Sequence, residues 1–375
     1  MENRKEKIKN RKEISLFFLF SLFCFLFSTF SSLDAQETKV FRGIYHLHSE
    51  FSPDSKMSLK KVIDTAKKAH LDFVVITDHN NFEGKSAYED MVKNPKDPKL
   101  FFGAEISAPD GHLILFNVPS LPEDVSSSQN MIDWAHSQYG FAFLAHPICI
   151  KNPWKDWSVQ GYDGLEVYNF AHAFYPSNKF AVVAKRIFYP RKAFLKSFIQ
   201  APYDGLAVWN EKLKERKLAA IFASDAHIHL QFWGINFENP RLQFESTSVF
   251  ARSSELSEEA VLNALGTGHS YMAFEAFGNA EKFDWFLKDG PDEYRSGDTV
   301  QLRKDQKFRI SIPQDAEIRL IHDGKIFERK YGKELEVDLN EKGYYRVEAY
   351  RKSKLWIVTN PIWVESPKQP ETNRQ

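Results

Sequence analysis

Apolar positions recur along this chain with more than one rhythm. Nearly unbroken runs come first: Phe73-Val74-Val75-Ile76, Leu100-Phe101-Phe102, Leu113 to Val118, Phe141 to Ala145, Leu165 to Tyr168 and Leu218 to Ala223. Runs of this length suit strands covered on both faces, as in a parallel sheet wrapped by helices. Between them apolar residues fall at helical spacing. Ser58 is an N-cap candidate for a helix carrying Leu59, Val62, Ile63, Ala66 and Ala69. A second helix carries Met131, Ile132, Trp134 and Ala135 and stops near Gly140. Val40 to Tyr45 supplies an opening strand. Strand, helix and strand within about thirty residues make a βαβ unit. The alternation continues for about 190 residues and predicts an α/β barrel-like fold.

From about Phe283 the period drops to two, in Phe308-Arg309-Ile310-Ser311-Ile312 and again in Leu335-Glu336-Val337-Asp338-Leu339. His322-Asp323-Gly324 sits between two such segments as a hairpin signal of the Asp-Gly type. Residues 283–365 therefore read as a small all-β, sandwich-like module, followed by a polar, loose tail at 366–375. Residues 150–204 follow neither rhythm. They are dense in aromatics, with a helix expected around Ala181 to Arg186, and read either as an insertion over the barrel mouth or as a packed helical excursion.

Composition changes this picture little. Hydrophobic residues are 43% and charged residues 27%, the profile of a globular protein, and 33 Phe point to thick cores or an apolar pocket wall. The formal net charge is zero, so no nucleic-acid footprint is present. The N-terminus does change the picture. Arg4, Lys5, Lys7, Lys9, Arg11 and Lys12 precede an apolar run from Ile14 to Phe30, which reads as an export signal over residues 1–35, with an uncleaved membrane anchor as the alternative. No integral membrane domain is expected beyond it, and the expected location is periplasmic or extracellular. Removing it takes six bases and four acids from fifty of each, leaving a body of net charge about −2 with Cys149 as its only cysteine. An internal disulfide is then impossible.

The chemistry lies in where the polar residues interrupt the apolar runs. His79, Glu105, His146, Asp225 and His227 each fall at or just beyond the C-terminal end of a predicted strand. In a parallel barrel those ends share one face, where active sites are built. His46 and His48 arrive from the first strand, two residues apart and so on one face of it. Asp54 comes from the loop that follows, and His112 from a neighbouring strand. Six imidazoles and three carboxylates are too many for one tetrahedral metal, whereas two or three divalent ions sharing a bridging carboxylate would use them all. Zinc, manganese and iron all accept this mixture. Asp78 is placed to orient the site or cap a turn, and Glu166 and Asn169 to touch substrate. His70, His136, His172, His229, His269 and His322 read as structural, with His172 and His229 nearest the mouth. No Arg or Lys falls within the motifs; Lys56, Lys60 and Arg186 are the only candidates for a phosphate clamp.

These motifs resemble the polymerase-and-histidinol-phosphatase (PHP) superfamily of metal-dependent hydrolases. The matching residues are His46-Leu47-His48, Ser52-Pro53-Asp54, Ile76-Thr77-Asp78-His79-Asn80, Gly103-Ala104-Glu105, Gly111-His112, Ala145-His146-Pro147 and Ser224-Asp225-Ala226-His227. Gly111-His112 and the β module look most like the carbaryl-hydrolase branch. Pro53 and His70 depart from the family pattern without removing a ligand. The resemblance implies a distorted (β/α)7 barrel over residues 40–275, holding two or three metals. One would take His46, His48, Glu105 and Asp225, a second Glu105, His112 and His146, and a third Asp54, His79 and His227, with Glu105 bridging. It further implies hydrolysis by a metal-bound hydroxide, with His79, Asp225 and His227 acting in catalysis. A small phosphoester is the first expectation for the substrate. Carboxylic or carbamate esters are the alternative, and a metal-containing cell-envelope binding or scaffold protein is the alternative of another class.

Overall fold

The computed structural model describes residues 38–174, 185, 188–197, 199–227, 231–232, 235–236 and 240–367. The export segment, the helix expected around Ala181, His229, Arg186 and most of the C-terminal tail lie outside the described residues.

Seven strands frame the first part: β1 Lys39–Leu47, β2 Phe73–His79, β3 Lys99–Ala108, β4 Gly111–Phe116, β5 Phe141–Ala145, β6 Gly164–Asn169 and β7 Ala219–Ala223. They are hydrogen-bonded in chain order. After β7 the chain turns back to β1. Ser224 and Asp225 donate their N–H groups to the Tyr45 and His46 carbonyls at 2.9 and 2.7 Å, and Leu47 is bridged to Ala226. This return carries Asp225 and His227 to the end of β1 that bears His46 and His48.

The apolar runs become strands because both of their faces are covered. Tyr45, Phe116 and Phe143 pack on one another within the barrel core. On the outside, the helix Leu59–Lys68 buries Leu59, Val62 and Ala66 over Val74 and Ile76. Its N-cap is Ser58, whose Oγ accepts the Lys61 N–H at 3.3 Å, and Ser127 caps the helix Ser128–Ser137 in the same way at 3.1 Å. A Ser at this position satisfies a helix N–H that would otherwise have no partner. Beyond the first helix His70 adopts φ +57°, the left-handed position that ends many helices and that glycine usually occupies.

Two departures from an all-parallel ring matter for function. β4 runs antiparallel to both β3 and β5. His112 stands at the beginning of β4, yet reversal brings that beginning to the end of the barrel where β3 and β5 finish. β3 also continues past Glu105 to Ala108, so Glu105 lies within the strand, paired with His79 on one side and Ile114 on the other.

The sheet does not stop at β1. Its free edge pairs antiparallel with β10 Ser248–Ser253, reached after a small hairpin of β8 Gln231–Phe232 and β9 Ile235–Asn236. β10 pairs with β11 Ser270–Ala273. The remaining strands are β12 Asp284–Asp289, β13 Asp292–Tyr294, β14 Thr299–Gln301, β15 Lys307–His322, β16 Lys325–Asp338, β17 Gly343–Arg351, β18 Lys354–Thr359 and β19 Ile362–Glu365. β11 joins β18, so the barrel sheet passes into the C-terminal strands through backbone hydrogen bonds. Trp285, Phe308, Tyr345 and Trp356 form the apolar centre of that region. Asp323 and Gly324, with φ +47° and +78°, make the tight turn between β15 and β16; positive φ at both positions is what the twist of a two-residue hairpin requires.

Among the described residues no helix is long and apolar enough to cross a membrane.

Candidate metal centre

The structure brings all nine expected residues to one end of the barrel. His46 and His48 do not meet through the simple pleat that their spacing predicts. β1 carries an irregularity in its pairing with β2 between Ile44 and Leu47, and His46 has φ +64°. His146 and Asp225 are likewise left-handed, at +31° and +51°. A non-glycine residue in that region costs about 1–3 kcal/mol. Three such residues at one site mark a place where the fold holds strained backbone to aim side chains.

The aim is tight. His46 Nε2 and His48 Nε2 lie 3.1 Å apart. Each is 3.1 Å from Glu105 Oε2, and they lie 3.5 and 3.4 Å from Asp225 Oδ1. Ligand distances of about 2.0–2.2 Å in a tetrahedron put ligand atoms about 3.4 Å from one another, so these four atoms already outline a coordination shell. On the other oxygen of the same carboxylate, Glu105 Oε1 is 2.6 Å from His112 Nδ1 and 2.9 Å from His146 Nε2. A third group gathers at Asp54, whose Oδ2 is 3.0 Å from His79 Nε2 and 2.8 Å from His227 Nε2. His79 Nε2 is in turn 3.5 Å from Glu105 Oε2. Glu105, 1% exposed, thus touches two of the groups with separate oxygens and borders the third.

Groups around the ligands fix their orientation. His46 Nδ1 donates to Glu166 Oε1 at 2.6 Å, which leaves Nε2 with its lone pair facing the other ligands. A carboxylate behind a ligating imidazole holds its tautomer and raises its basicity. Glu166 Oε2 accepts the His146 N–H at 2.8 Å and Asn169 Nδ2 at 3.1 Å, and Asn169 Nδ2 also reaches Asp225 Oδ2 at 3.2 Å. Glu166 and Asn169, read from sequence as possible substrate contacts, stand behind the ligands instead. Ser52 Oγ donates to Asp54 Oδ1 at 2.6 Å. Asp78 accepts the N–H and hydroxyl of Ser49, both at 2.6 Å, and so pins the turn that follows His48.

The electrostatics explain why the donors suit cations. Burial alone would push Glu105 and Asp225 up, but the imidazoles facing them hold both carboxyls well below the usual range. Burial likewise opposes a charged His48, yet Asp225 and Glu105 raise it to about 9. His46 is raised well above its ordinary value, against its burial, by Glu166, Glu105 and Asp225. In the absence of metal, protons on the histidines are what balance the buried carboxylates. With neutral histidines, Asp54, Glu105 and Asp225 carry three negative charges in a largely buried setting, and unpaired buried charge is costly. Divalent cations would supply that balance, so the donor set and its charge fit the kind of metal that the motifs imply.

Two further side chains, Cys149 and His172, gather with His146 beside the nine. Cys149 Sγ accepts the Asn152 N–H at 3.2 Å. Burial raises the thiol, but His146 and His172 bring it down to about 5. His172 Nε2 lies 3.4 Å from Asp225 Oδ2. Of the remaining histidines, His136 and His269 pair with Asp163 and Asp298 away from the site. Lys60 pairs with Asp64 on an exposed helix face.

Solved structures similar to this chain include the following three. One, from Bacteroides vulgatus, is described as a two-domain protein containing a PHP-like metal-dependent phosphoesterase; it is 15% identical, with a TM-score of 0.44 over 86% of this chain and 95% of its own. A metal-dependent phosphoesterase candidate from Bifidobacterium adolescentis is 16% identical, with a TM-score of 0.27 over 34% of this chain and 77% of its own. An amidohydrolase from Chromobacterium violaceum is 13% identical, with a TM-score of 0.33 over 49% and 87%. In sequence, an uncharacterised protein of Methanocaldococcus jannaschii is 29% identical over 165 residues, which cover 40% of this chain and 94% of that protein. The PHP domain profile matches residues 45–173, a span that holds seven of the nine ligand candidates. That match spans 129 of the 375 residues and ends before Asp225 and His227.

Proposed function

We propose that the chain is an exported, metal-dependent hydrolase whose substrates are small phosphoesters. The observation that carries the reading is the gathering of six imidazoles and two further carboxylates around Glu105, at the end of the barrel. Bound there, divalent ions supply an acidified water and a positive clamp for an ester oxygen.

The protein's own groups do the rest. Glu105 gives one oxygen to the His46–His48 side and the other to the His112–His146 side, and so fixes the spacing between neighbouring positions. Glu166 keeps the proton of His46 on Nδ1, away from the ligand face. His79 and His227 converge with their Nε2 atoms on the partly exposed Asp54. In a state that leaves either ring unligated, its position beside Asp54 would let it give a proton to, or take one from, a leaving group. Asp225, buried and held ionised, anchors the opposite wall.

The test is a panel of nitrophenyl mono- and diphosphate esters, carboxylic esters and carbamates, assayed on protein loaded separately with zinc, manganese or iron. Metal-dependent hydrolysis of a phosphoester, lost in His46→Ala, is the expected result. Turnover of carboxylic or carbamate esters alone would reassign the substrate. No turnover with any metal would favour a binding role for the domain. Export is tested separately by fractionating cells that express the full chain.

A further inference from the structure

His146, Cys149 and His172 stand together on the flank of the Glu105 centre. A ring nitrogen of His146, the Sγ of Cys149 and a ring nitrogen of His172 all lie within 4.8 Å of one another. His146 Nε2 is engaged by Glu105, which leaves Nδ1 as the nitrogen available to the sulfur. That Nδ1 is buried with no hydrogen-bond partner among the described residues, on a residue only 5% exposed. His146 and Cys149 form a His-x-x-Cys turn closed by the Cys149 N–H on the His146 carbonyl at 3.0 Å, a spacing that lets two side chains chelate one ion. The sulfur is also oriented from behind, since it accepts the Asn152 N–H at 3.2 Å. Around one tetrahedral zinc, nitrogen and sulfur ligands lie about 3.4–3.6 Å apart, which the 4.8 Å limit on these atoms allows.

We propose that His146, Cys149 and His172 form a thiolate-containing metal site, selective for thiophilic divalent ions such as zinc and cadmium, whose filling inhibits the Glu105 centre. The selectivity follows from the sulfur, because the other three groups of ligands among the described residues offer only imidazole and carboxylate. Inhibition follows from the shared residue. A neutral imidazole has one lone pair to give, so His146 serves either Glu105 and His112 or Cys149 and His172. His172 adds to the effect, since its Nε2 lies 3.4 Å from Asp225 Oδ2 and a move toward the thiolate ion changes that contact. The inhibitory half rests on the hydrolase reading above, and the binding half does not.

The experiment uses the full chain carrying Cys24→Ser, so that Cys149 is the only thiol. Metal-free protein is titrated with cobalt(II). A near-ultraviolet thiolate-to-cobalt charge-transfer band is expected to grow and saturate. It should be absent when Cys149→Ser is added, with folding of both proteins checked by circular dichroism. In His172→Gln its midpoint should rise at least tenfold. Saturation of all cobalt sites without the band overturns the proposal, as does a midpoint indifferent to His172→Gln. In protein that proves active, cadmium added beyond the hydrolytic metal should inhibit, with an inhibition constant at least tenfold higher in Cys149→Ser. Equal inhibition of the two proteins overturns the inhibitory half while the cobalt result still decides the binding half.

Discussion

Glu166→Gln is the most informative single substitution. The side chain is buried, and it works with both oxygens: Oε1 takes the His46 Nδ1 proton at 2.6 Å and Oε2 takes the His146 N–H at 2.8 Å. A glutamine has the same shape but only one acceptor. If its oxygen stays on the His146 N–H, its amide turns hydrogens toward His46 Nδ1. The ring then keeps its lone pair there and carries its proton on Nε2, the atom 3.1 Å from His48 Nε2 and from Glu105 Oε2. His46 is thereby lost as a ligand until the tautomer is restored, and the charge that made it basic is gone. Removing such an outer partner typically costs 10–100-fold in metal affinity, roughly 1.4–2.7 kcal/mol. The assay is competition with a chromophoric chelator on metal-free protein, beside a denaturant melt to show that the fold persists. Unchanged affinity in a folded Glu166→Gln protein would refute the account of how His46 is held.

Further tests follow from the same geometry. Because Asp225 and Glu105 hold His48 protonated to about 9 in the metal-free protein, binding must release protons, and apparent affinity should rise as pH increases from 6.5 toward 9; calorimetry in buffers of different ionisation heat counts the protons released. In the same metal-free protein, the His48 ion pairs contribute stability fully below about 6.5, and that contribution is lost as pH rises through about 9. The metal-free melting temperature should therefore fall across that window unless metal is restored. Trp209, fully buried with its Nε1–H on the Leu218 carbonyl at 3.1 Å, should cost about 3–5 kcal/mol as Trp209→Ala, read by urea unfolding, with the metal ligands untouched.

The sequence carried much of this arrangement, for identifiable reasons. Runs such as Phe73 to Ile76 have no polar position to spare, which marks a strand covered on both faces before any contact is known. The polar residues that end or interrupt the runs then had to share one rim. Finer geometry was not legible. The meeting of His46 and His48 depends on a left-handed residue and a break in strand pairing, and no propensity announces either for a histidine. His112 reaches the site because β4 is reversed, which only the short connection through Pro109 and Asp110 hints at. Glu166 looked like a rim residue because it stands close to a strand end, while its direction toward His46 is set by the register of β6 between β5 and β7. Cys149 carried a usable signal, its three-residue spacing from His146. Reading a lone cysteine only for disulfides passed over it.

The central claim is that one carboxylate, Glu105, ties neighbouring metals into a single cluster. Metal counting on purified protein, stripped and reloaded with zinc, manganese or iron, tests it most directly when wild type and Glu105→Gln are compared. The account predicts two or three ions per wild-type chain, and loss of more than one of them in the variant, because each oxygen of Glu105 faces a different pair of histidines. A wild-type chain that retains no metal, or a Glu105→Gln chain that keeps its full complement, would contradict it.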